Sequence, residues 1–217
     1  MIAKIHDIKE LLARGRVEPD AVFPELRRLA ASDQWQTREV AATALVELSK
    51  RHPVTVLETA RRWAKDHDAN VRRAASEGLR GIVKVDPQAV RPILETLRTD
   101  PELSVKKSVA NVLRNASGKH PEFVLNICRH WSRSSNPHTR WIVKDGLRKL
   151  QGSRPRDVAA ILKTLELSDY SGISLLPRQP YFCPPFPARH YVPFRADFIC
   201  GNEYPLKDFS EAIRFVV

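Results

Sequence analysis

Proline recurs every 34 residues, at Pro19, Pro53, Pro87, Pro121 and Pro155. Valine keeps the same step at Val22, Val56, Val90, Val124 and Val158, and leucine at Leu11, Leu45, Leu79, Leu113 and Leu147. No insertion breaks this register over the first three-quarters of the chain. A unit of this length cannot bury its apolar face alone, so successive units must stack on one another. The chain is therefore expected to be all-α, a right-handed curved solenoid of helix pairs.

Each unit has two halves. The first begins at the proline, whose missing N–H is not needed in the first turn of a helix. Apolar residues follow at helical spacing, as in Pro121, Val124, Leu125, Cys128 and Trp131. A short polar turn leads to the second half, whose buried edge reads Val71, Ala74, Ala75, Gly78 and Leu79. The equivalent sets are Val105, Ser108, Val109, Val112 and Leu113, then Thr139, Ile142, Val143, Gly146 and Leu147. Small residues in these sets let neighbouring helices approach closely. The other edge, Arg72, Arg73, Ser76, Glu77 and Arg80, is left for solvent or a ligand.

Residues 1–16 fit the second helix of an incomplete first unit, with Ile5, Ile8, Leu11 and Leu12 as its apolar edge and Gly15 as its end. Helix pairs are expected at 19–31 with 35–50, 53–66 with 70–83, 87–99 with 103–117, and 121–133 with 138–151. A last helix at 155–167 closes the stack. The second helices are expected to line its concave wall. Beyond residue 167 the register stops. Residues 168–217 hold seven of the sixteen prolines and ten of the sixteen aromatics. The run Tyr181–Pro187 cannot continue a helix. This segment reads as an irregular or disordered extension, with a weak helix near Lys207–Phe215.

Charge bears on the partner. The formal net charge is +11 and the isoelectric point about 9.9. The extension carries five basic and five acidic residues, so the whole excess lies in the repeats. Such a surplus points to an acidic partner such as nucleic acid. The three cysteines, Cys128, Cys183 and Cys200, suggest no disulfide framework, and Cys128 falls on a core column. With no secretory signal and no apolar run long enough for a bilayer, no membrane partner is expected. The setting expected is reducing and cytoplasmic, nucleoid-associated in a bacterium.

A constant step stacks equivalent residues into columns. One reads Thr43, Glu77, Asn111, Asp145, and its neighbour Glu39, Arg73, Lys107, Trp141. Two more read Arg38, Arg72, Lys106, Arg140 and Val46, Arg80, Arg114, Arg148. Cations in parallel stripes on a concave wall suit a phosphate backbone. The plainer alternative is a solvated helix face tied by pairs such as Arg73 with Glu77. Glu39, Glu77 and Asp145 stand among the cations, either as salt-bridge partners or for chemistry on a cationic centre. Trp63 and Trp131 fall on the core column. Trp35 and Trp141 lie nearer the wall, where an indole can stack on a sugar or base. His52 and His120 precede column prolines and read as turn or capping residues. No nucleotide-phosphate loop, metal cluster or nucleophile triad is present in the pattern.

Several words in the sequence carry a resemblance. They are Trp35-x-x-Arg38-Glu39-Val40-Ala41, Val71-Arg72-Arg73-Ala74-Ala75-Ser76-Glu77-Gly78, Ser108-Val109-Ala110-Asn111, Lys119-His120-Pro121 and Arg140-Trp141-Ile142-Val143. Together they resemble the HEAT-like-repeat alkylpurine DNA glycosylases of the AlkC/AlkD type, closer to the AlkC branch, over about residues 5–167. The resemblance implies a HEAT-like α-solenoid at 1–167, acting on double-stranded, alkylated DNA as a monomer. It implies excision of purines alkylated at N3 or N7, with no metal or cofactor. It places Glu77 and Glu39 as catalytic candidates, and Trp141, Trp35, Asn111 and Asp145 as substrate-binding candidates. Arg38, Arg72, Arg73, Arg80, Lys106, Lys107, Arg114, Arg140 and Arg148 become candidate DNA contacts. The match has departures: the segment Leu79–Asp86 lacks an aromatic, proline-rich insert, Lys106-Lys107 replaces a pair of arginines, and Arg114-Asn115 loses an acid. The alternatives are a non-catalytic solenoid that binds unusual or branched DNA, and a peptide-binding scaffold of the tetratricopeptide kind. Against the scaffold, the tetratricopeptide signature residues are missing and the wall is strongly basic.

Overall fold

A computed structural model describes residues 5–170, and side chains over 8–166. The chain divides into two compact units, Met1–Ser174 and Leu175–Val217, and the described residues belong to the first. The expectations for the extension, including Cys183, Cys200 and the helix near Lys207–Phe215, lie outside the described residues.

Ten α-helices and one short 3-10 turn make up the described residues. They are α1 (Ile5–Val17), α2 (Pro19–Ala30), α3 (Trp35–Ser49), α4 (Pro53–Trp63) and α5 (Ala69–Ile82). They continue as α6 (Pro87–Leu97), α7 (Leu103–Ala116), α8 (Pro121–Trp131), α9 (Pro137–Gly146) and α10 (Pro155–Tyr170), with the 3-10 turn at Arg148–Leu150. The unit is an α-solenoid in two layers. The odd-numbered helices are the second halves of the repeat and stack directly on one another. The even-numbered helices form the other layer and touch each other less.

Local chemistry sets the boundaries. A proline opens each even-numbered helix. Asp68, Asp86 and Asn136 cap α5, α6 and α9 by accepting hydrogen bonds from amides of the first turn. α4, α6 and α8 end two or three residues before the expected limits. Between α4 and α5 the Asp66 carboxylate accepts from the Asp68 amide at 3.0 Å, and after α6 Asp100 repeats this with the Glu102 amide at 2.9 Å. The chain thus turns around an aspartate rather than completing the helix. The single helix expected over 138–151 instead ends at Gly146 and tightens into the 3-10 turn.

Gly15 does not end α1, which runs through it to Val17. A Cβ at Gly15 would lie 2.9 Å from both Leu48 and Val22, so the residue is small because its neighbours crowd it. The same holds in the odd-numbered layer. A Cβ at Gly146 would meet Leu113 Cδ1 at 2.8 Å, and one at Gly78 would meet Leu45 Cβ at 3.3 Å. All three expected buried edges of the second helices are buried. One apolar cluster runs unbroken from Leu11 to Leu165 and includes Cys128, Trp63 and Trp131. Each large side chain within it contributes roughly 2 kcal/mol through burial.

Candidate nucleic-acid interface

The odd-numbered helices carry the expected wall, and its residues divide by what holds them. On α3 and α5, Arg73 Nη2 donates to Glu39 Oε2 at 3.1 Å, linking one repeat to the next along a single column. Within α5, Arg80 Nη1 donates to Glu77 Oε2 at 3.0 Å. Glu77 and Ser76 were expected on an open edge, but Ser76 is fully buried and Glu77 is only 7% exposed. α5 sits between α3 and α7 and is covered from both sides. On α7 and α9, Asp145 accepts from Arg114 and, at 3.2 Å, from Arg148 Nη1. Arg148 is 71% exposed and reaches out from the wall. Lys107 on α7 is exposed and has no ion pair among the described residues.

The column Arg38, Arg72, Lys106, Arg140 behaves differently. Arg38 Nη1 donates to the carbonyls of Ser32 and Asp33, both at 2.8 Å. Arg72 Nη1 donates to the carbonyls of Asp66 and His67, both at 2.9 Å, while Nε and Nη2 grip the Asp100 carboxylate at 2.5 and 3.2 Å. Asp100 raises the Arg72 guanidinium above its ordinary value through that hydrogen bond, against the opposing effect of burial. Arg140 is buried and donates to the Leu165 carbonyl of α10. Lys106 lies 3.3 Å from His138 Nδ1 and 5.9 Å from the centre of the Trp141 ring. These cations clamp interhelix loops and stitch repeats together.

Trp35 opens α3 and is 54% exposed, while Trp141 on α9 is half-buried against the core. Two helices separate α3 from α9, and neighbouring axes lie about 8–10 Å apart, so these indoles are roughly 25–30 Å from each other. They do not converge on one point. Glu39 and Glu77 lie on the adjacent helices α3 and α5, each held by an arginine of α5. Asn111 and Thr43 occupy the Glu77 column, half-buried.

Where α7 ends, a shallow cleft of about 650 Å³ opens, lined by Asn111, Arg114, Asn115, Arg148, Lys149 and Gln151. The sequence reading found Arg114, Arg148 and Asn111 but missed Asn115, Lys149 and Gln151. The 3-10 turn brings Lys149 and Gln151 there. Only the shortening of α9 after Gly146 could have signalled them. The histidines were expected to cap or turn. They occupy the N-cap position, yet their side chains reach the preceding repeat: His52 Nε2 lies 3.0 Å from the Arg16 carbonyl, and His120 Nε2 lies 3.0 Å from that of Lys84. Among the described residues no cluster of His, Cys, Asp or Glu could hold a metal ion. No described helix is long and apolar enough to cross a membrane.

Residues 21–114 match a family model for HEAT repeats. Among solved structures, the chain is similar to the Pseudomonas fluorescens alkylpurine DNA glycosylase AlkC bound to DNA containing an abasic site analog. The TM-score is 0.61 and the identity 28%, over 72% of this chain and 44% of that one. The chain therefore spans less than half the length of that protein. It is also similar to smu.31 from Streptococcus mutans UA159, with a TM-score of 0.54 and 23% identity over 67% of this chain and 85% of that one, a likeness of fold alone. No curated protein matches the chain in sequence.

Proposed function

We propose that this solenoid, whose HEAT-like fold is of the AlkC/AlkD type, binds double-stranded DNA along the odd-numbered helices and excises purines alkylated at N3 or N7. The observation that carries this reading is the wall of Arg73, Arg80, Lys107, Arg114 and Arg148 with Glu39 and Glu77 set into it on adjacent helices.

The chemistry asked of the protein is modest. An alkylated purine carries its own positive charge, so the C1′–N9 bond breaks with its electron pair moving to the base. The sugar left behind is an oxocarbenium-like cation. Water adds at C1′ and releases a proton. A carboxylate beside the sugar stabilises the developing charge and orients the water. In this reading Glu77, little exposed and held by Arg80, takes that role, and Glu39 stands on the neighbouring helix α3. No cofactor is required, because the leaving group is already activated.

A second reading draws on the same pairs. Every wall carboxylate is engaged by an arginine, which is also what a non-catalytic DNA-binding solenoid would use to space its cations. One assay separates the two. Methylated duplex DNA is incubated with the protein and with its Glu77→Gln and Glu39→Gln variants, and released 3- and 7-methylpurines are quantified by chromatography. Release that falls at least a hundredfold in Glu77→Gln supports excision. DNA binding without release above the variants leaves the non-catalytic reading standing.

A further inference from the structure

We infer that the edge of the stack formed by the loops after α1, α3, α5, α7 and α9 is a second phosphate-binding track. It continues the cationic wall and seats duplex DNA asymmetrically. The inference rests on the DNA-binding reading above and adds a surface outside the wall.

The two edges of the solenoid differ in charge and in what their charges do. On the edge after the even-numbered helices stand Asp33, Asp66, Asp68, Asp100 and Glu102, against Lys65, Arg98 and Arg133. Three of its aspartates are engaged in structure. Asp66 holds Arg27 and the Asp68 amide, Asp68 caps α5, and Asp100 holds Arg72 and the Glu102 amide. On the opposite edge stand Lys50, Arg51, Lys84, Lys119, Lys149 and Arg154, against Glu18 and Asp86. Lys50 pairs with Glu47, and Arg154 pairs with Glu122 and Asp157. Arg51, Lys84, Lys119 and Lys149 are exposed and hold no ion pair among the described residues.

The helix dipole favours cations at C-terminal ends, but its effect fades beyond the last turn. Arg51, Lys84 and Lys119 lie past the ends of α3, α5 and α7, which stop at Ser49, Ile82 and Ala116. These loops are also held in succession. Ser49 Oγ lies 3.0 Å from the position a Cβ would take at Gly81, and Lys149 Nζ lies 3.8 Å from the same position at Gly118. The His52 ring meets the Arg16 carbonyl in the last turn of α1, and the His120 ring meets the Lys84 carbonyl in the loop after α5. The cations therefore advance by one repeat at a time, about 10 Å, or roughly three base steps along a strand. The cleft containing Arg114, Arg148 and Lys149 joins this edge to the wall.

The test measures duplex DNA affinity against salt by fluorescence anisotropy. It compares the wild-type chain, the variant Arg51→Gln/Lys84→Gln/Lys119→Gln/Lys149→Gln, and a control with the same charge change, Arg28→Gln/Arg61→Gln/Arg133→Gln/Lys163→Gln. The edge variant should lower the slope of log K against log salt by about 3.6, since each of the four phosphate contacts contributes roughly 0.9, while the control keeps the wild-type slope. The pairs Arg51→Gln/Lys84→Gln and Lys119→Gln/Lys149→Gln should each give about half the effect, which covers a loss of folding in the fourfold variant. Equal slopes for wild-type, edge and control proteins would overturn the second track and leave DNA binding intact. A wild-type chain that binds no duplex would overturn both.

Discussion

Arg72→Ala separates a clamping arginine from one left for the proposed DNA interface. The sequence alone makes Arg72 and its neighbour Arg73 equally good phosphate contacts. In the structure every nitrogen of the Arg72 guanidinium is engaged, by Asp100 and by two loop carbonyls. The Asp100 side chain is only 5% exposed and that of Arg72 16%, so truncating the arginine strands a carboxylate with little water. Breaking a buried pair from one side costs about 3–5 kcal/mol, and some exposure places this case near 3. For a unit of this size that is a fall of roughly 6–12 °C in Tm. Adding Asp100→Asn removes the stranded charge and should recover about 1–2 kcal/mol of the loss. Scanning calorimetry gives the Tm values, and DNA affinity is measured well below the transition. Affinity should change less than twofold in Arg72→Ala but fall several-fold in Lys107→Ala. A Tm lowered by less than 2 °C together with a tenfold loss of affinity would refute the reasoning.

Three further outcomes follow from single sites. Burial alone would push the Asp66 carboxyl up, but hydrogen bonds from Arg27 and the Asp68 amide outweigh it, and the group sits below the usual carboxylate range. Its contribution is then complete above the unfolded value near 3.9 and lost as pH falls through the lower folded value. The Tm gap between wild type and Asp66→Asn, followed by circular dichroism, should be constant at neutral pH and close below about pH 4. Burial pushes the Cys128 thiol up to about 12; iodoacetamide at pH 8 should leave it unmodified in the folded chain and alkylate it in urea, as read by peptide mass. Trp131 is fully buried and donates through Nε1 to Glu95 Oε1 at 3.0 Å. Trp131→Phe should cost about 1 kcal/mol and Trp131→Ala about 3–5 kcal/mol in urea unfolding.

The repeat made the helix starts legible to within a residue, because proline and the polar turn fix them locally. The helix ends were less legible. Asp66 and Asp100 stand one repeat apart, each three residues beyond the last residue of its helix, Trp63 and Leu97, and each stops its turn by binding an amide ahead of it. That column lies in the loops, where hydrophobic periodicity carries no information. Side-chain direction was the larger loss. Adjacent helical residues point about 100° apart, so Arg72 turns to the loop edge and Arg73 to the wall, although both belong to the same charged word. The signal was present: an arginine at the fourth position of the odd-numbered helix, beside an aspartate column, anticipates a loop clamp. Gly15 shows the opposite error, since crowding by Leu48 and Val22 explains it better than helix termination.

The wall carboxylates can be judged by how much of each arginine they occupy. Glu39 takes one nitrogen of Arg73, Glu77 one of Arg80, and Asp145 one each of Arg114 and Arg148. A guanidinium offers five N–H donors in a rigid fork. One ion pair through a single nitrogen therefore restrains the group and leaves most of its donors uncommitted, available to a phosphate. Arg72, with four of its five N–H groups committed, has a single donor left. The acids in the wall are then compatible with DNA binding rather than opposed to it: each orients a cation. Excision asks more of one of them, namely that Glu77 serve the sugar while Arg80 holds it. For that reason Arg80→Gln should impair base release more than it impairs binding, whereas Arg148→Gln should weaken binding and leave the single-turnover rate of bound DNA unchanged. Equal losses in both quantities for Arg80→Gln would assign Arg80 to phosphate contact alone.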